Sequence, residues 1–124
     1  MDEINYITRA QQYVALSNTH DLDATMALFD INAVYHSAYV GKMVGKGAIS
    51  RMMSDYFKLI PNVHWATSNY RLIQPNTVCF NFEMTGTNTK TGESVSRSDL
   101  EEIEFNEEGQ ICRLTVGSNL ISSS

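Results

Sequence analysis

The sequence predicts an α+β domain, and three observations carry that prediction. The N-terminal half holds apolar side chains at helical spacing in three stretches. From Val63 onward the pattern becomes extended, with one run of strict apolar-polar alternation. The extended part is cut at QPN, TKTG and NEEG, sequences that turn a chain back on itself. Helices first and an antiparallel meander afterwards is the layout of a sheet with its helices gathered against one face.

Each element follows in order. The spacing predicts helix one over residues 3 to 17, with Ile4, Ile7, Gln11 and Val14 on one side and Tyr6, Ala10 and Tyr13 on another. The polar run SNTH ends it. Asp21 is placed to cap a short second helix whose stripe is Leu22, Met26 and Phe29. Ala33 to Tyr39 reads as a strand, and GKMVGKG as a glycine-rich turn region that delivers a third helix. That helix carries Ile49, Met52, Met53, Tyr56, Phe57 and Ile60 at helical spacing, and Pro61 stops it. Four strands remain: Val63 to Ile73, Thr77 to Asn88, Glu93 to Phe105 and Gln110 to Val116. Val78, Phe80, Phe82 and Met84 alternate with Cys79, Asn81 and Glu83, so one sheet face is core.

The chain has 124 residues, 43% hydrophobic and 19% charged, which suits one domain spanning residues 1–124 around one core. A formal charge of −5, with nine Lys and Arg scattered along the chain, argues against a nucleic-acid partner. The first residues carry acids where a signal peptide carries Lys or Arg, and no apolar run approaches membrane-spanning length. A soluble, cytoplasmic protein without a membrane partner is expected. Cys79 and Cys112 sit singly inside apolar runs, as buried reduced cysteines do. His20, His36 and His64 show no metal-ligand spacing, so neither a metal nor another cofactor is expected.

The segment SRSDLEEIEFNEEGQI, Ser96 to Ile111, raises the question on which function turns. If Ile103 and Phe105 point into the core, alternation puts Glu101, Asp99 and Arg97 on the same inner face. A bulge would instead turn Leu100 inward and leave the acids in water. An inward trio could be a satisfied ion-pair network, or Glu101 could be an acid lining a pocket.

The run QYVALSNTHDLDATMALF, then GKGAI opening a helix, then FEMTG, a TG-type hairpin and IEFNEEGQI, resembles the NTF2-like superfamily, specifically its SnoaL-like and ketosteroid-isomerase-like branch. The resemblance covers nearly the whole chain and rests on several weak motifs in the right order. It implies a cone-shaped fold in which a strongly bent, mainly antiparallel sheet wraps around three helices and leaves a pocket at its wide end. In the ketosteroid isomerases a helix-one tyrosine and a late-strand carboxylic acid hold the substrate's oxyanion, while an aspartate near the end of the first strand moves the proton. By resemblance Tyr13 falls on that tyrosine and Glu101 on that acid, and a carboxyl in an apolar pocket can stay protonated and donate a hydrogen bond. The position of the base falls on Ser37, a poor proton acceptor, with His36 just before it. Perfect alternation turns His36 away from the face that Ser37 shares. In polyketide-cyclase-like members an acid/base aspartate projects from the late strands, a role that Asp99 could fill.

The candidate catalytic residues are therefore Tyr13, His36, Asp99 and Glu101. Two functions are expected to compete. One is a cofactor-independent acid/base enzyme, of isomerase, cyclase or dehydratase type, acting on a small apolar carbonyl compound. The other is a noncatalytic small-ligand-binding or dimerisation module. Relatives of this kind pair through the outer sheet face, where Cys79, Asn81 and Glu83 lie, so a homodimer is the expected partner state. Sedimentation at micromolar concentration should give the mass of two chains; a monomer would contradict it.

Overall fold

The computed structural model describes residues 3–121; residues 1, 2 and 122–124 of the predicted domain lie outside the described residues, as does the Ile4 side chain. The elements are α1 (Glu3–Asn18), α2 (Leu22–Met26), β1 (Phe29–Ser37), β2 (Gly41–Val44), α3 (Lys46–Leu59), β3 (His64–Gln74), β4 (Thr77–Thr87), β5 (Ser94–Phe105) and β6 (Ile111–Val116). The strands form one open, strongly curved sheet of six in the order β2-β1-β6-β5-β4-β3. Every neighbouring pair is antiparallel except β1 with β6.

The α+β layout with three helices against a bent, mainly antiparallel sheet is the one the sequence predicts. Two elements differ in detail. Phe29 opens β1 instead of closing the second helix, because its backbone pairs in parallel with Ile111 and the Ile111 N–H donates to the Leu28 carbonyl. The glycine-rich GKMVGKG is not all turn. Gly41–Val44 forms β2, a short edge strand paired with the end of β1. Gly45 then enters α3 at a φ of 93°, a conformation that favours glycine, and its N–H donates to the Ala33 carbonyl.

The curvature has local causes. Register shifts interrupt the β3–β4 pairing between Ser68 and Arg71 and between Leu72 and Gln74, and Asn69 sits there at a φ of 58°. Such bulges bend a strand and sharpen its twist. The Asn69 side chain donates to the Asn81 side chain, which also accepts from Arg71, so the bend is pinned on the outer face.

The concave face holds the core. Phe29, Phe80, Phe105, Ile49, Ile103 and Leu114 are essentially closed to solvent. Helix α1 contributes Tyr6, Ala10 and Tyr13, one of the two predicted sides, together with Val14 of the other, whose Ile7 is half-buried and whose Gln11 is exposed. Its C-terminal end is fastened to the sheet by Asn18, whose amide donates to the Trp65 carbonyl at 2.9 Å and whose oxygen accepts from the Trp65 N–H at 2.8 Å. His20 follows at a φ of 60°, its ring stacked on Phe57 and its Nε2 2.7 Å from the Val63 carbonyl oxygen. These contacts fix the height of Tyr13 over the sheet. Asp21 caps α2 as predicted, accepting from the Ala24 N–H at 3.1 Å.

Cys79 on β4 and Cys112 on β6 are both free, with β5 lying between their strands. No helix among the described residues is long and apolar enough to cross a membrane.

Candidate functional site

The pairing of β4 with β5 answers the register question. It runs without a shift from Thr77 opposite Glu104 to Thr87 opposite Ser94. Phe80 is opposite Glu101, Phe82 opposite Asp99 and Met84 opposite Arg97, and directly opposed residues share a face. The three polar side chains of β5 therefore start out on the side of Phe80, Phe82 and Met84, all buried in the core. What happens to each differs.

Glu101 stays inside. It is 7% exposed, with Phe80 on one flanking strand and Val116 on the other. Glu101 lines two adjoining cavities, of about 60 and about 30 Å³. Tyr13, Tyr35 and Trp65 also line both, so Glu101 stands where the two meet. The larger cavity is walled further by Met52, Met53 and Tyr56 from α3. Burial pushes the Glu101 carboxyl up to about 8, and no basic group pulls it back. The upward direction, with no basic group among its causes, is the opposite of what an ion pair with Arg97 produces.

Tyr13 reaches the same space from α1, packed edge-on against Phe29 at 5.7 Å between ring centroids. Burial first, and the nearby Glu101 second, raise its hydroxyl well above the ordinary tyrosine value. Tyr35 on β1 is raised for the same two reasons, with Tyr56 adding and Arg97 opposing. Both phenols are therefore neutral hydrogen-bond donors at any ordinary pH.

Asp99 is diverted. Its Oδ1 accepts the N–H of Leu100 at 2.8 Å and of Ser118 at 2.7 Å, and its Oδ2 accepts the Tyr39 hydroxyl. Burial pushes its carboxyl up, but these hydrogen bonds outweigh burial and hold it below the ordinary carboxylate value. Asp99 does not line the larger cavity, whereas its partner Tyr39 does. Asp99 is thus an ionised carboxylate one tyrosine removed from the cavity.

His36 is not brought to this group. Tyr35 and Ser37 on either side of it line the cavity, and His36 lies between Lys42 of β2 and Thr115 of β6 on the opposite side of the pleat. Ser37 does face inward at 5% exposure, but its Oγ accepts the N–H groups of Tyr39 and Val40 and so caps the turn after β1. Arg97 lines the larger cavity with its guanidinium 3.9 Å from the centre of the Tyr39 ring. Among the described residues no group of three or more His, Cys, Asp or Glu is gathered to hold a metal ion.

Sequence reasoning named Tyr13 and Glu101 for the site and passed over Tyr35, Tyr39 and Tyr56. A signal for two of them was present. Tyr35 shares its face with the inward Ser37, and Tyr56 stands in the apolar stripe of helix three; a phenol in a core position needs a partner for its hydroxyl or a cavity to face.

The chain matches the family model described as the SnoaL-like domain over residues 10–114. No curated protein sequence matches it. Solved structures resemble it over almost their full length. A protein of Bacillus subtilis, provisionally named an isomerase, is 27% identical, with a TM-score of 0.80 over 94% of this chain and 88% of that one. SalBIII, described as an epoxide hydrolase/cyclase-like enzyme with a role in pyran ring formation in the polyether salinomycin, is 18% identical, with a TM-score of 0.85 over 94% of this chain and 92% of its own. Rv0760c of Mycobacterium tuberculosis, solved in complex with estradiol-17beta-hemisuccinate, is 13% identical, with a TM-score of 0.81 over 98% of this chain and 97% of its own.

The state of Glu101 makes stability depend on pH in a definite direction. Its folded value, about 8, lies above its ordinary 4.5, so the folded chain keeps a proton that the unfolded chain releases across that window. Stability contributed by the neutral carboxyl is complete below about pH 4.5 and is lost as pH rises toward 8, by an amount on the order of 5 kcal/mol. Glu101→Gln removes the ionisation and preserves the shape. Urea unfolding should find the variant as stable as the parent near pH 4.5 and more stable by several kcal/mol near pH 8. A variant less stable at both pH values, by roughly the 3–5 kcal/mol of a broken buried ion pair, would contradict the neutral carboxyl.

Proposed function

The chain belongs to the SnoaL-like domain family, and on that premise we propose that it is a cytoplasmic, cofactor-independent acid/base enzyme of isomerase, cyclase or dehydratase type. Its substrate is a small apolar carbonyl compound bound beside Glu101. One observation carries this reading: Glu101, 7% exposed and with its carboxyl held neutral by burial, lines a cavity that a buried tyrosine also lines. A neutral acid and a phenol directed at one carbonyl oxygen stabilise the negative charge that develops there when a proton leaves the adjacent carbon. Both are pre-positioned by the sheet and by α1, so little reorganisation is needed as the charge forms.

In this scheme Glu101 and Tyr13 donate hydrogen bonds to the carbonyl oxygen. Asp99 is the proton acceptor. Its ionised carboxylate holds the Tyr39 hydroxyl, and Tyr39 lines the cavity. Tyr39 accepts the substrate proton on its oxygen as it passes its own to Asp99, and the reverse transfer returns a proton to the substrate. His36 is left out of the scheme because it faces away from the cavity. The homodimer implied by the family resemblance is part of the same reading.

The noncatalytic alternative is favoured by the size of the cavity. About 60 Å³ is less than the roughly 150 Å³ of an engineered cavity that binds benzene, so a substrate must displace flexible side chains such as Met52 and Met53 or extend into solvent.

Exchange of α-protons for deuterium in a panel of small ketones and enones, followed by NMR, separates the two. The enzyme reading expects acceleration over buffer that falls above about pH 8, where Glu101 ionises and stops donating. Tyr13→Phe and Glu101→Leu should each lower the rate by about 10²- to 10³-fold, and Asp99→Asn by about 10²- to 10⁴-fold. Binding of panel members with no acceleration of exchange would leave the module reading.

A further inference from the structure

One charged side chain lining the larger cavity, Arg97, takes no part in that proton transfer. Arg97 precedes Glu101 on β5, on the same face, and the two Cα atoms are roughly 13 Å apart at a rise of about 3.3 Å per residue. Both side chains line the larger cavity, with the half-exposed Tyr39 next to Arg97. We propose that the ligand carries a carboxylate as well as a carbonyl, with the carbonyl turned to Glu101 and Tyr13 and the carboxylate received by Arg97.

The cation is short of an anion. A guanidinium stays charged at every accessible pH and presents five N–H donors in a planar fork. Its contacts are the face of Tyr39 and the hydroxyl of Tyr56. Neither contact supplies a negative charge. Asp99, the nearest acid along the strand, spends its two oxygens on Tyr39, Leu100 and Ser118. Glu101 is neutral and responds to no basic group. Among the described residues no carboxylate forms an ion pair with Arg97.

Arg97 is set apart by its place: among the described residues it is the one Lys or Arg that lines the larger cavity, in a chain whose formal charge is −5. A positive group without an acid partner, facing a mainly apolar cavity, has its charge complemented by what enters the cavity. The fork matches a carboxylate in two parallel hydrogen bonds, and the two tyrosines orient it for that contact. A neutral Glu101 at the other end does not repel an anion. The ligand is therefore amphipathic: an apolar body, a carbonyl at the buried end and a carboxylate at the exposed end.

The inference rests on reading the cavity as the site where Glu101 and Tyr13 bind a carbonyl group, and its test does not require turnover. Two probes share one ketone and differ in charge: 4-acetylbenzoate and 4-acetylbenzamide. Calorimetric titration at low salt and pH 7 should show the carboxylate binding about 10- to 100-fold tighter than the amide. Arg97→Gln should abolish that preference and leave the amide's affinity within about twofold, while Arg97→Lys should retain part of it as a point charge. Circular dichroism on each variant reports whether it folds. Equal binding of the two probes, equal weakening of both in Arg97→Gln, or binding of neither at millimolar concentration would overturn the assignment. Deuterium exchange at the acetyl methyl, measured in the same samples, keeps the two readings apart. Charge preference without exchange removes the proton-transfer scheme and keeps the carboxylate site; exchange without charge preference does the reverse.

Discussion

Everything about this site depends on one carboxyl group that is kept from water and given no counter-charge. An ionised carboxylate in that position would be costly, so Glu101 keeps its proton at neutral pH and changes from an acceptor into a donor. The basic group that could have reversed this is Arg97, on the same strand and the same face. It turns instead to Tyr39 and Tyr56. The cavity thus has a neutral donor at one end and a cation at the other, and the separation of those two roles is what makes the wall chemically useful.

The scaffold holds that arrangement from three sides. Glu101 sits in the middle strand of the β4–β5–β6 ladder, between Phe80 and Val116, where neither strand can move without breaking pairs on both sides. Tyr13 is set by α1, whose end is tied to the β3 backbone through both atoms of the Asn18 amide. Asp99 is fixed by Ser118, which follows β6, and by Tyr39, which follows β1. Two acids on one face of one strand thereby hold opposite charge states at neutral pH. Glu101 has apolar neighbours, and Asp99 has three hydrogen-bond donors.

Much of this could be read before the structure. The alternation of Phe105, Ile103 and Glu101 continues to Arg97 without a break, and the unshifted β4–β5 register is its physical counterpart. Tyr13 was read on one side of helix one with Tyr6 and Ala10, the side that is buried, and Asp21 as a cap, which it is. What stayed hidden depends on distant partners. The diversion of Asp99 needs Tyr39, 60 residues away, and Ser118, 19 residues away. Phe29 joined a strand because of a parallel pairing with Ile111, which no local pattern reveals. The short β2 was masked by the glycines on either side of it, which signal turns more strongly than Lys42, Met43 and Val44 signal a strand. The pleat alone indicated that His36 faces away, and the ability of an imidazole to move protons alone kept it among the candidates.

The account stands or falls on the ionisation of Glu101. A carboxyl-detected NMR titration of the folded protein, with Glu101→Gln identifying the resonance, measures it directly. An apparent pKa near 8 is the predicted result. A value at or below the ordinary 4.5 would mean that the carboxylate is charged and paired inside the sheet, and the donor chemistry built on it would fall.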